Sequence, residues 1–294
     1  MSYLSACPVC QETAFSSFLS CRDHTVSHET FHLEKCAGCG FVMTNPRPDE
    51  NALSRYYESD AYISHSNKSL NVVDQVYKLS RTFTLKWKYN LVQKLSVTTP
   101  LSILDFGCGT GAFLAECRKH NMKISGVEPS ATARTQAKEI TGSEIASDLH
   151  EIKDDCDAIT LWHVLEHVSA LHETIEKLKD HLKENGTMFI AVPNLQSRDA
   201  KKYNEYWAGY DVPRHLWHFS RKTMEMVLAH HSLKLSNVVP MRLDAYYVSL
   251  LSEKYKNRKG GVANVTKAII QGWKSNKAAI TTQEYSSLIY IARK

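Results

Sequence analysis

The segment Leu101-Ser-Ile-Leu-Asp105-Phe-Gly107-Cys108-Gly109-Thr110-Gly111-Ala-Phe-Leu114 restricts the folds open to this chain more than any other. A short apolar run stops at an acid, glycines follow at alternate positions, and an amphipathic stretch begins at once. This is the pattern of a buried strand turning sharply into a helix, because glycine takes the left-handed backbone of such a bend without steric cost. The bend also leaves main-chain N–H groups free at a helix start, where a ligand can reach them. Asp105, Gly107, Cys108, Gly109 and Gly111 are therefore candidate ligand-binding residues.

The alternation continues downstream. Apolar runs near 101–105, 124–128, 157–161, 186–192, 234–240 and 286–292 read as strands, with a weaker one near 144–147, and amphipathic stretches at 111–120, 130–140, 170–183 and 221–231 read as helices. That order predicts an α/β fold: a doubly wound, mostly parallel sheet with helices on both faces. At 294 residues the chain can build one sizeable core and a smaller appendage. No charged and then apolar leader opens the chain, and no apolar run approaches the ~20 residues that span a bilayer, which predicts a cytoplasmic protein. A net charge of only +5 gives no reason to expect DNA as a partner.

The appendage precedes the sheet. Cys7-Pro-Val-Cys10 and Cys36-Ala-Gly-Cys39 are two C-x-x-C pairs about 25 residues apart, a spacing at which two tight turns supply four thiolates to one tetrahedral zinc ion. Four cysteine ligands close the site, so a structural role is expected. The predicted division is a zinc-binding module at 1–48, a helical bridge and lid at 49–99, and the ligand-binding domain at 100–294 with a helical insertion at 242–284.

The ligand of the glycine bend is expected to be cationic. The spacing is G-x-G-x-G, not the G-x-G-x-x-G of dinucleotide folds, and Asp105 would repel a pyrophosphate. Glu128, in Gly126-Val-Glu128-Pro129, ends the next strand about 20 residues on, where an acid grips a ribose diol. Asp148 is placed to meet an adenine. A nicotinamide-dependent oxidoreductase is the alternative that the glycine spacing opposes.

With these residues the chain resembles the class I S-adenosylmethionine methyltransferases: LDFGCGTG matches their first motif, GVEPS their second and LWHVLEHV the motif after their fourth strand. The resemblance implies S-adenosylmethionine as cofactor and a seven-stranded sheet whose last strand, Ser286 to Ala292, runs antiparallel beside the fifth. It also implies that Trp162 and His163 line the methionine end of the cofactor, with Pro129 beside Glu128, and that Tyr62 belongs to a lid. His163 and His167 stand four residues apart, but Glu166 does not complete the H-E-x-x-H pattern of a metal site. The cysteine module, the Asn45-Pro-Arg-Pro48 junction and the loop Pro213-Arg-His-Leu-Trp-His-Phe219 are together similar to bacterial methyltransferases of saccharide and natural-product biosynthesis.

That second likeness implies a small-molecule acceptor, of saccharide type, anionic or lipid-linked. His215 and His167 are the expected catalytic residues, and Arg214 a clamp for an acceptor phosphate or carboxylate. Relatives that methylate sugar carbon pair the second histidine with an acid and a tyrosine; Arg214 and Val212 stand at those places here, so O-methylation and C-methylation both remain open. An RNA-modifying methyltransferase is a further alternative, opposed by the weak charge bias. In the insertion, Lys254, Lys256, Arg258, Lys259, Lys267, Lys274 and Lys277 with Tyr255 and Trp273 suggest contact with an anionic acceptor or, peripherally, a membrane surface. The oligomeric state is not legible.

Overall fold

The acid-tipped strand lies inside the larger of two sheets. A computed structural model of the chain describes residues 1–57, 72–257 and 262–294. Its strands are β1 (Phe15–Arg22), β2 (Thr30–Cys36), β3 (Val42–Thr44), β4 (Ser102–Phe106), β5 (Lys123–Val127), β6 (Cys156–Trp162), β7 (Leu182–Pro193), β8 (Trp217–His218), β9 (Lys234–Pro240) and β10 (Ser287–Arg293). The helices used below are α1 (Val72–Leu95), α2 (Ala112–Lys119), α3 (Ala131–Thr141), α4 (Leu171–Asp180), α5 (Arg198–Tyr203), α6 (Arg221–His230), α7 (Asp244–Asn257) and α8 (Val262–Thr282).

Six strands form the main sheet in the order β5-β4-β6-β7-β10-β9. The first four are parallel neighbours, while β10 runs antiparallel between β7 and β9. The inserted last strand thus lies where the resemblance put it. The weak strand expected near 144–147 shrinks to a single parallel bridge, Val127 to Ala146. Its neighbours Ser143, Glu144 and Ser147 are polar, the last two exposed, so little apolar burial extends this edge. β7 is buried from Thr187 to Val192, as expected of a strand covered on both faces.

The amino-terminal module is less separate than the sequence suggests. Its sheet has the order β1-β2-β3-β8, and β8 comes from the loop after the fifth large strand. Val42 pairs with His218 and Met43 with Trp217. Phe41 packs on Trp217 and Phe219, ring centroids 5.9 and 5.6 Å apart. Cys7, Cys36, Phe41 and Met43 belong to one apolar cluster with Leu104, Ile159 and Val227 of the main domain. Residues 1–48 and 100–294 therefore share a sheet and a core. The bridge supplies α1, and Tyr62 lies outside the described residues. The insertion is helical as expected, forming α7 and α8.

Candidate functional site

β4 delivers its chain into a bend in which Gly107, Gly109 and Gly111 all have positive φ, at 72°, 53° and 73°. The three have different neighbours. A Cβ on Gly107 would stand 2.6 Å from Val164, and one on Gly111 would stand 2.9 Å from Ala137. At Gly109 nothing lies within 4 Å, so the backbone there faces open space in which a ligand can touch the main chain. The Glu128 carboxylate spans this space, accepting from the Gly109 N–H and the Ser130 N–H at 2.9 Å each. Each oxygen keeps a lone pair for a hydroxyl.

Asp105 is buried and accepts from Thr160 Oγ1 at 2.6 Å. Burial lifts its carboxyl to about 7, opposed by the Thr160 hydrogen bond and the Lys88 ammonium. Lys88 Nζ also stands 4.3 Å from the centre of the Trp162 ring, so the pocket floor already draws a cation to an aromatic face and a carboxylate. The buried Trp162 Nε1 has no hydrogen-bond partner among the described residues, a donor available to a ligand. This chemistry suits a ligand bearing an ammonium, a sulfonium and a ribose. Cys108 is buried, its thiol pushed up by desolvation, and offers no reactive thiolate. Pro129 is exposed, with its carbonyl held by Arg134, and Asp148 caps a short turn by accepting from the His150 N–H at 2.9 Å.

Beside the bend, the turn after β6 brings the predicted histidines together. Val164 packs on Gly107, and the next residues enter a buried polar cluster. The His167 and His215 rings meet edge to face with centroids 4.5 Å apart, although 48 positions separate them. His167 Nδ1 lies 3.1 Å from the Arg214 carbonyl and 3.1 Å from the Tyr57 hydroxyl, and His215 Nδ1 lies 2.9 Å from the Gly209 carbonyl. A carbonyl only accepts, so these bonds place a proton on each Nδ1 and leave each Nε2 a lone pair. Burial and the neighbouring His215 pull His167 down to about 4.

Glu166 is fully buried, and burial opposes its ionisation, but His163 holds the carboxyl below the usual range. One oxygen lies 3.2 Å from His163 Nδ1, and Oε2 has no hydrogen-bond partner among the described residues. The other nitrogen of His163 meets Asp244 at 2.9 Å. Burial would depress this ring, but the Asp244 and Glu166 carboxylates raise it to about 9. His163 is thus an imidazolium fixed between two anions, in a left-handed backbone with φ of 60°.

Arg214 is placed differently from the sequence expectation. Its side chain is 1% exposed and pairs twice with Asp211, at 2.9 and 2.7 Å, with Asp23 at 3.0 Å and with the Tyr56 carbonyl at 2.9 Å. These bonds engage all three of its nitrogens inside the protein, so an acceptor clamp gives way to a pin joining the Asp211–Phe219 loop to the amino-terminal module. The fork of donors matches a carboxylate, which is why it is satisfied by Asp211 rather than by solvent.

Two groups among the described residues could hold a metal ion. In the first, one ligand atom each from Cys7, Cys10, Cys36 and Cys39 falls within 4.8 Å of the others. The Cys7–Cys39 and Cys10–Cys36 sulfurs are 3.6 and 3.4 Å apart, too far for a disulfide and near the ~3.8 Å tetrahedral edge implied by a Zn–S bond of about 2.3 Å. The Phe41 N–H donates to Cys39 Sγ, as main-chain groups do around such ions. Against the opposing effect of burial, the Cys39 N–H and the Cys10 thiol draw Cys36 down to about 7. The second group is Glu166, His167 and His215. The sequence pairs His163 with His167 and shows no third ligand; the group that forms takes His215 instead, from a loop 48 positions away. Asp244 and Lys88 escape sequence reasoning because their partners, His163 and Trp162, are reached only through the fold.

Comparison with known proteins accords with this geometry. A family model described as a methyltransferase domain matches residues 81–236. A ubiquinone biosynthesis O-methyltransferase of Rickettsia typhi is 26% identical over 151 residues, 47% of this chain and 57% of that protein, and one of Chelativorans sp. is 35% identical over 103 residues, 32% and 41%. The chain thus spans about half the length of the curated relatives it matches. Magnesium protoporphyrin IX methyltransferase of Synechocystis PCC 6803, with bound SAH, superposes with a TM-score of 0.54 at 11% identity, over 84% of this chain and all of that one. Mycolic acid cyclopropane synthase, complexed with SAH, gives 0.50 at 12% identity over 70% and 83%. With more than half of its length matched and this sheet order, the chain belongs to the methyltransferase domain family and carries the fold of the S-adenosylmethionine-dependent class I enzymes.

Proposed function

We propose that this protein transfers a methyl group to a hydroxyl oxygen of a small-molecule acceptor, saccharide-type first, with His215 and His167 managing the acceptor proton. S-adenosylmethionine, when bound, supplies a sulfonium methyl open to in-line attack. Gly109, Glu128 and Asp105 would hold it: main chain and carboxylate for the ribose side, buried acid for the positive end. The family match sets the nicotinamide alternative aside.

The observation that carries this reading is the pair of histidine rings beside the glycine bend, each with a lone pair on Nε2. A hydroxyl is a weak nucleophile, and a positioned base that takes its proton during attack is worth about a hundredfold or more. Asp211 Oδ2 stands 4.0 Å from His215 Nε2, so His215 is the ring that faces an acid. His167 stays neutral at physiological pH and can orient the hydroxyl. Tyr57 and Glu166 provide the phenol and the acid that the loop sequence lacks at Val212 and Arg214. That the Rickettsia typhi and Chelativorans relatives are O-methyltransferases supports oxygen as the acceptor atom. Incubation with cofactor and a panel of sugar nucleotides and phenols, followed by mass spectrometry, identifies the acceptor. His215→Ala should lower kcat by about a hundredfold or more while leaving SAH affinity unchanged; full turnover by that variant removes the proposed base.

We also propose zinc at the four cysteines. A second reading of the histidine cluster is favoured by the unpartnered Glu166 Oε2: Glu166, His167 and His215 would hold a divalent cation that ligates the acceptor oxygen. Metal analysis of purified protein separates the two. One zinc per chain, with activity indifferent to added divalent ions, is expected for the histidine base; a second tightly held ion that Glu166→Gln abolishes would favour the cation.

A further inference from the structure

Helix α8 is built inside out. Its buried positions are Ala268, Gly272, Ser275 and Ala279. A Cβ on Gly272 would stand 2.7 Å from the Tyr246 ring of α7, so close approach of the two helices demands small residues there. The side flanking this seam, about a quarter of a turn around the helix, carries Val265, Ile269, Trp273 and Ile280, between 46% and 66% exposed. Steps of four, four and seven residues set them on one helical face. On α7 and its start, Leu250 and Leu243 are exposed as well.

The charge around this stripe is one-sided. Residues 242–284 hold eight lysines and arginines against three acids, an excess equal to the +5 of the whole chain. All three acids are engaged with the protein. Asp244 meets His163 at 2.9 Å, Glu253 accepts from Tyr203 at 3.1 Å and Asn257 at 2.8 Å, and Glu284 accepts from Asn194 at 2.7 Å. Lys254, Lys256, Lys267 and Lys274 are exposed, and Lys277 stands 5.0 Å from the Trp273 ring.

We propose that α7 and α8 form a docking face for an anionic lipid surface, with Trp273 and the aliphatic row entering the headgroup region and the lysines meeting lipid phosphates. The two halves of the observation need each other. A second copy of the chain would bring one basic face against another, and a nucleic acid would use the lysines but leave the aliphatic row in water. An anionic bilayer satisfies both, as for amphipathic helices that lie in the interface plane. No described helix is long and apolar enough to cross a membrane, and docking requires none. The proposal stands independently of the acceptor's identity.

The test is flotation of the full-length, zinc-loaded protein with vesicles of phosphatidylcholine alone or of two parts phosphatidylcholine to one part phosphatidylglycerol. Binding to the anionic vesicles is expected, weakening as salt shortens the screening length. The double variants Trp273→Ala/Ile269→Ser and Lys274→Glu/Lys277→Glu should each bind about tenfold less or weaker, with SAH affinity and Tm unchanged. Absence of binding, equal binding to neutral vesicles, or variants that bind like the parent would overturn the proposal. So would a dimer in the parent protein that the Trp273→Ala/Ile269→Ser variant dissociates, since the face would then belong to a second copy.

Discussion

Asp105 combines burial with a site for positive charge, and its titration reports on what the pocket binds. Its carboxyl is raised to about 7 by burial, so below that pH it is a neutral acid and above it a carboxylate. A cationic ligand favours the carboxylate. Cofactor affinity should therefore be level above about pH 7 and fall by up to about tenfold per unit below it; calorimetry between pH 5.5 and 8 reads this, and Asp105→Asn should flatten the profile. A profile already flat in the parent protein would mean that this acid does not meet the cofactor's charge. Residue identities were legible where chemistry is local. Asp105 and Glu128 follow from their positions at strand ends, and His167 and His215 from the density of polar groups around them. The facing of Arg214 was not, because a loop arginine can turn outward to an acceptor or inward to an acid, and its partner Asp23 lies 191 residues away.

Among the elements, β8 matters beyond its two residues. Through Val42–His218 and Met43–Trp217 it ties the loop carrying His215 to the cysteine module, and Thr44 Oγ1 donates to the His215 carbonyl at 2.7 Å. The expected consequence of loosening the cysteines is a catalytic defect at a distance. Cys36→Ser should lower kcat by about tenfold or more, because small misplacements of a catalytic group cost that much, while SAH affinity stays near the parent value. Equal losses in kcat and SAH affinity would instead indicate general unfolding. A two-residue strand has no period to read, so the sequence could not announce this pairing. The α/β alternation was readable because the central strands β7 and β10 carry unbroken apolar runs, Met188–Val192 and Leu288–Ala292, and amphipathic stretches separate the shorter ones. The edge bridge at Ala146 was over-read as a strand because a short mixed run has little to distinguish it.

For the whole molecule, length and pattern foretold a parallel sheet, a cysteine module and a helical insertion, and divided the chain at 48 and 99 without showing how the pieces join. Long-range pairing decides that, and sequence periodicity carries no information about it. The charge is likewise uneven: outside 242–284 basic and acidic residues balance, which the net value conceals. The sharing of β3 with β8 also has a consequence for synthesis. The ribosome emits β3 long before Trp217, and at about 5–20 residues per second the intervening 172 residues take roughly ten to thirty seconds. Throughout that wait the newborn module keeps a raw strand edge and the apolar Phe41 and Met43 without their later partners, an interval in which chaperone capture competes with completion of the fold.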